Sequence, residues 1–166
     1  FRWDSGNYLL LAERGLYLEY CDGEFSEMLR EPYRCGTAGW FPGYSYLISL
    51  LNPLVGGADV AGMVISKVFF ILSLLLFMVL AKLNELKPKA IVLLLCFCLF
   101  FGSIYYHAIF PISQFVCFSL AAFYAFSKDK IYLATVFTFA ACLTYSTGFL
   151  LGGVLSLALF IQHYHE

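Results

Sequence analysis

From Val60 onward the chain is a series of long apolar runs broken by short polar turns, and this limits what it can become. A helix needs about 20 residues to cross roughly 30 Å of hydrocarbon. Val60–Ala81 meets that length with one Lys inside. Ala90–Tyr106 is a second run, opened by Pro88 and closed by Tyr105-Tyr106-His107. Pro111–Phe126 is a third, with Pro111 suited to the first turn of a helix. Ile131–Tyr145 and Phe149–Ile161 are shorter and are split by Ser146-Thr147-Gly148, which reads as a turn between two helices. The residues are 61% hydrophobic and 13% charged, against roughly 45–50% and about 25% in a soluble domain. Too little polar surface remains to cover a soluble globule. The expectation is an all-α, polytopic membrane protein. Residues 1–58 form a non-cytoplasmic loop with interfacial helices, and residues 59–166 form a membrane region of about five spans. Because it starts at Phe1 and not at a Met, the chain reads as a piece of a longer polytopic protein.

The charges are sorted along the chain. All four Arg (Arg2, Arg14, Arg30, Arg34) precede residue 35, together with most of the acids. All six Lys come later: Lys82, Lys87 and Lys89 share one loop, and Lys128 and Lys130 another. By the positive-inside rule the Lys loops are cytoplasmic. Residues 1–57, the His107–Phe110 turn and the Tyr145–Gly148 turn then fall together on the opposite, non-cytoplasmic side. Net charge is −1, so nothing points to nucleic acid.

The first 57 residues are too polar to span. Asn7–Arg14 places Tyr8, Leu11 and Ala12 on one helical face, with Gly15 as a stop. Such a helix can lie flat in the interface, apolar side down. Cys21–Gly39 reads as loop. Trp40-Phe41-Pro42-Gly43-Tyr44 follows, then a short helix Tyr46–Leu51 ended by Asn52-Pro53. Aromatic residues at this density suit a headgroup-level belt.

Six Cys are present, none in a metal-binding spacing. Cys96 and Cys98 are two apart on a helix and face apart. Cys117 and Cys142 read as packing residues. Cys21 and Cys35 share the non-cytoplasmic loop and can pair if that side is oxidising. No Gly-rich phosphate loop, nucleotide fingerprint or Ser-His-Asp pattern occurs. No metal or other cofactor is expected; a divalent metal stays open, without a second carboxylate beside Asp4 to share it.

Four blocks, in order, resemble a known family. Trp3-Asp4-Ser5-Gly6-Asn7-Tyr8 with Ala12-Glu13-Arg14-Gly15 is similar to the first non-cytoplasmic loop of GT-C glycosyltransferases. The likeness is greatest to the second mannosyltransferase of GPI-anchor assembly and its bacterial relatives. Trp40-Phe41-Pro42-Gly43-Tyr44 resembles their Phe-Phe-Pro-x-Tyr block. Phe110-Pro111-Ile112-Ser113-Gln114 resembles a Pro-Tyr-Ser-Glu segment. Thr144-Tyr145-Ser146-Thr147-Gly148 resembles a Thr-Arg-x-x-Gly turn. The family's Glu is Gln114 here and its Arg is Tyr145. An Arg at that turn can hold a lipid phosphate with two hydrogen bonds.

The resemblance implies transfer of a sugar, mannose by likeness, from a polyprenyl-phosphate donor to an acceptor hydroxyl on a lipid, glycan or protein, with inversion at the non-cytoplasmic face of the bilayer. That chemistry needs a base near the hydroxyl, and Asp4 is the candidate. A basic group should neutralise the departing phosphate; Lys67, Arg2 and Arg14 are the candidates. Trp3, Tyr8, Trp40, Phe41 and Tyr44 can stack on sugar rings or line a lipid groove, with Ser113 and Gln114 at the edge of the site. The plainer readings are helix capping for Asp4, snorkelling for Lys67, membrane anchoring for the aromatic residues, a satisfied helix start for Ser113 and Gln114, and an interface position for His107. A noncatalytic accessory subunit and a lipid or sugar flippase are the alternatives from other classes.

Overall fold

A computed structural model describes residues 4–20, 34–83, 87–99 and 102–164, with the main chain alone at Arg34 and His163. Among these residues the chain forms eight helices and one small ladder. In order they are α1 (Asp4–Arg14), β1 (Leu18–Tyr20), β2 (Arg34–Gly36), α2 (Pro42–Val55), α3 (Ala58–Leu80), α4 (Pro88–Leu99), α5 (Ile104–His107), α6 (Ile112–Phe126), α7 (Ile131–Thr144) and α8 (Gly148–Tyr164).

Local chemistry accounts for the boundaries. α1 stops where Gly15 takes φ +77° and its N–H returns to the Leu11 carbonyl. α2 starts on Pro42, whose fixed φ suits a first turn and which has no N–H to leave unpaired. It stops at Gly56, φ +81°, whose N–H bonds to Asn52 O at 3.0 Å. The helix therefore extends beyond the expected Tyr46–Leu51 at both ends and runs through Asn52-Pro53. Pro53 lies in its last turn, where losing one intrahelical N–H is tolerated because Gly56 closes the end.

Two other expectations change. Ala90–Tyr106 is not one helix: α4 is described to Leu99, and α5 is separate, following Gly102-Ser103. Cys21–Gly39 is not all loop, because Arg34–Gly36 pairs antiparallel with Leu18–Tyr20 in the register Leu18↔Gly36, Glu19↔Cys35 and Tyr20↔Arg34. Three-residue strands give too little alternation to read from sequence. Cys35 is disulfide-bonded; Cys21 lies outside the described residues. Cys96, Cys98, Cys117 and Cys142 are free.

The helices pack as one body. α6 lies between α3 and α7, α8 folds back on α7, and α1 and α2 cross over the N-terminal half of α3. The surfaces in contact are made of small residues: Ala61, Gly62, Ser66 and Ser73 on α3, Ala121, Ala122 and Ala125 on α6, and Ala134 and Ala141 on α7. Large apolar side chains point outward, including Leu99, Tyr132, Phe139, Leu150 and Phe160. α1 differs, because its Tyr8 and Leu11 face is buried in the protein. The apolar side that could have rested on a bilayer is covered by protein. α3, with 23 residues or about 35 Å, is long and apolar enough to cross a membrane. α4, α6, α7 and α8 are apolar but shorter, at 12 to 17 residues.

Close approach makes some glycines irreplaceable. A Cβ on Gly43 would sit 2.8 Å from the Leu143 carbonyl oxygen, where α2 touches α7. Backbone cannot swing aside as a side chain can. Gly153, inside α8, has open space around it. Gly43→Ala is expected to cost about 1–3 kcal/mol, as overpacking does. Gly153→Ala should be neutral or stabilising by up to about 1 kcal/mol through helix propensity. Thermal unfolding of both variants in detergent checks this; equal midpoints for the two would refute the contact.

Candidate functional site at the aromatic end of the bundle

Several of the candidate site residues collect where α1, the Thr37–Phe41 segment, the Ala108–Pro111 turn and the Tyr145–Thr147 turn meet. Thr37 builds the first part. Its hydroxyl donates to Gly15 O at 2.8 Å and accepts from the Tyr17 N–H at 3.2 Å, while its carbonyl takes the Trp40 N–H at 3.0 Å. The ladder is thereby tied to the end of α1, and Trp40 is turned onto Tyr8.

Tyr8 is the centre. Its ring is 1% exposed and meets Trp40 at 5.1 Å, Tyr44 at 5.6 Å and Phe110 at 5.7 Å, each edge to face. Its carbonyl accepts the Ser45 hydroxyl at 2.8 Å. Beside it, Ser49 donates to Ala12 O and Ser5 to Ile109 O at 2.9 Å. These hydroxyls hold α1 against α2 and the Ala108–Pro111 turn. Tyr145 extends the cluster, 6.2 Å from Phe110 and 5.9 Å from Phe115 by ring centres, and Phe41 packs on Phe149 at 6.2 Å.

Asp4 stands in the first turn of α1, where the helix dipole favours a carboxylate. It is partly exposed and has no ion pair among the described residues. Burial pushes the Tyr8 phenol well above its ordinary range, and Tyr145, the Asp4 carboxylate and Tyr44 push it the same way. Asp4 and Tyr145 are thus each within electrostatic reach of Tyr8, and Tyr8 stays a neutral phenol at physiological pH. A carboxylate, a neutral phenol and accessible aromatic edges can accept a hydroxyl proton and line an apolar or sugar-bearing ligand.

The other expected site residues are dispersed or enclosed. Arg2 and Trp3 lie outside the described residues. Arg14 ends α1, ten residues or about 15 Å along the axis from Asp4. Tyr44 is fully buried, its hydroxyl bonded to Gly62 O and Ser66 Oγ, each at 2.8 Å; it is a structural pillar rather than an open stacking surface. Trp40 and Phe41 are partly exposed. Ser113 donates to Tyr106 O at 3.1 Å and lies wholly inside. Gln114 is 3% exposed and its Oε1 has no partner among the described residues. Lys67 is exposed on α3, with Nζ 2.6 Å from His107 Nδ1. Sequence reasoning did not join that pair, because a separation of 40 positions leaves no periodic signal. Among the described residues no three His, Cys, Asp or Glu gather to hold a metal. Compared with known family models, curated proteins and solved structures, the chain matches none.

Burial pushes the Tyr44 phenol up to about 12, with Ser66 and the Phe110 backbone pulling partly back. Its folded value lies above the ordinary 10.0, so its stabilisation is complete below pH 10 and disappears as pH climbs through 12. The unfolding midpoint should hold steady to about pH 10 and then fall. Tyr44→Phe should blunt that fall and cost about 1–3 kcal/mol at neutral pH, because it removes the bonds to Gly62 O and Ser66 Oγ and leaves Ser66 only the long contact to Phe110 O. Identical alkaline limbs for wild type and variant would exclude Tyr44 as the titrating group. Tyr8→Ala should cost about 3–5 kcal/mol, measured as loss of thermal stability.

Proposed function

We propose that the protein is a multi-pass membrane glycosyltransferase of the GT-C type. It moves a sugar, mannose by resemblance, from a polyprenyl-phosphate donor to an acceptor hydroxyl at the non-cytoplasmic face. The observation that carries the reading is convergence. The first, second and fourth resembling blocks, together with Phe110 of the third, meet around Tyr8, although more than 140 residues separate Asp4 from Tyr145. The membrane part is supported by the distribution of side chains. Small residues lie between helices and large apolar ones face outward, as lipid-embedded helices arrange them. A flippase is less well supported, since the buried Ser hydroxyls each bond to a protein carbonyl or hydroxyl rather than line a polar path.

In this reading the acceptor oxygen attacks the anomeric carbon as the bond from that carbon to the phosphate oxygen breaks. The hydroxyl proton passes to the Asp4 carboxylate. The bonding pair leaves with the phosphate, giving a polyprenyl monophosphate and an inverted glycosidic bond. Trp40 and Phe41 flank the acceptor, and Lys67 is the described candidate for the phosphate.

A noncatalytic accessory role is the second reading. It is favoured by Tyr145, whose ring packs near Phe110 and Phe115 where the family's Arg stands, and by the burial of Gln114. Membranes holding wild type or Asp4→Asn at matched expression, supplied with labelled polyprenyl-phosphate mannose and a panel of acceptors, separate the two. The transferase reading expects wild-type transfer reduced at least about 100-fold in Asp4→Asn, the scale of a lost general base. Equal transfer returns Asp4 to a structural role. Absence of transfer by either protein leaves the accessory reading ahead.

A further inference from the structure

The Lys67–His107 pair has an unusual donor balance. A lysine ammonium carries three N–H donors and no acceptor. His107 Nδ1, 2.6 Å away, must then accept, which places the imidazole proton on Nε2. Two Nζ–H donors, one Nε2–H donor and one positive charge remain. Both side chains are exposed, and neither meets a carboxylate among the described residues. Lys67 lies nine residues into α3, about 14 Å from its start, on a surface of Met63, Val64, Val68 and Ile71. A charge at that depth in an apolar surface is costly and calls for a partner. A group with donors only and one positive charge takes an anion with several acceptor oxygens, which describes a phosphate.

An aromatic strip leads away from the pair. Phe70 meets His107 edge-on at 5.1 Å and Tyr106 at 5.2 Å; Tyr106 stacks on Phe97 at 5.7 Å, and Phe97 on Phe77 at 4.8 Å. Lys67 to Phe77 covers ten residues of α3, about 15 Å. Phe70, Phe77 and Phe97 are partly exposed. Such a strip has no use for a free ion but suits a hydrocarbon tail. The direction also matters. The strip runs toward the far end of α3, whereas Ile109, two residues beyond His107 and so within about 7 Å of chain, is held by Ser5 next to Asp4.

We infer that Lys67 and His107 seat the phosphate of a lipid whose tail lies along Phe70, Phe97 and Phe77, with the head turned toward Asp4. Naming that lipid as the polyprenyl-phosphate donor rests on the transferase reading. Binding is measured without transfer, so the two fail separately. The protein in phosphate-free maltoside micelles is titrated with polyprenyl monophosphate, the corresponding polyprenol and inorganic phosphate in separate arms, and followed by native mass spectrometry. The monophosphate should bind more tightly than either other probe. Lys67→Gln and His107→Ala should each weaken it at least about tenfold, the scale of a lost charge-assisted hydrogen bond. Lys67→Arg, which keeps charge and donors, should stay within a few-fold of wild type and so rule out misfolding. Unchanged binding in both Lys67→Gln and His107→Ala, or equal affinity for the polyprenol, overturns the seat. Inorganic phosphate binding as tightly as the lipid overturns the lipid assignment. Lysine-dependent lipid binding in a protein that transfers no sugar upholds the seat and removes the transferase reading.

Discussion

Burial of the Tyr8 ring is the constraint from which the aromatic end of the molecule follows. Its neighbours come from separate segments: Trp40 after β2, Tyr44 from α2 and Phe110 from the turn before α6. Each edge-to-face contact adds about 0.5–1.5 kcal/mol beyond the area buried. Together they require four stretches of chain to be in place at once. The Ser45 hydroxyl on the Tyr8 carbonyl and the Ser5 hydroxyl on Ile109 O set the rotation and height of α1. Asp4, one turn before Tyr8, is positioned by that packing and stays partly exposed because α1 buries only one face.

Beneath this end, α3, α6 and α7 meet through Ala, Gly and Ser, which let backbones approach closely. Gly62 shows the tolerance: an added Cβ would fall 2.7 Å from Ile109 Cγ2 and 3.4 Å from the Tyr44 hydroxyl. The buried hydroxyls are satisfied, Ser66 by Tyr44 and Ser73 by Phe69 O at 2.7 Å. Gln114 departs from this economy, with its buried Oε1 unpaired. Buried polar groups in folded proteins are nearly always bonded. An orphan acceptor beside the Phe110–Pro111 turn therefore marks a place where the packing tolerates a cost of about 1–3 kcal/mol.

Much of this was legible from residue order alone. α3, α6, α7 and α8 lie within a few residues of the apolar runs that announced them, because run length and Gly, Pro and Lys punctuation are local signals. The Gly15 stop and the Tyr8–Leu11 face of α1 were equally readable. The Ala108–Pro111 and Tyr145–Thr147 turns meet α1 at one end of the bundle, and the order of apolar runs and polar turns had already grouped them. What escaped was whatever needs a distant partner. The β1–β2 ladder is three residues wide, and Pro53 reads as a stop until Gly56, three residues on, is seen to close the helix.

The division is physical. Sequence by itself determined the helical class, the positions of most helices and the concentration of acidic residues ahead of α3, because hydrophobic period and backbone-restricting residues act within a few positions. Tertiary structure alone decided that Tyr8 and Tyr44 are buried pillars, that Ser113 serves the Tyr106 carbonyl and that Lys67 meets His107. Those outcomes depend on helix rotation and on packing between separate segments, and no local pattern encodes either.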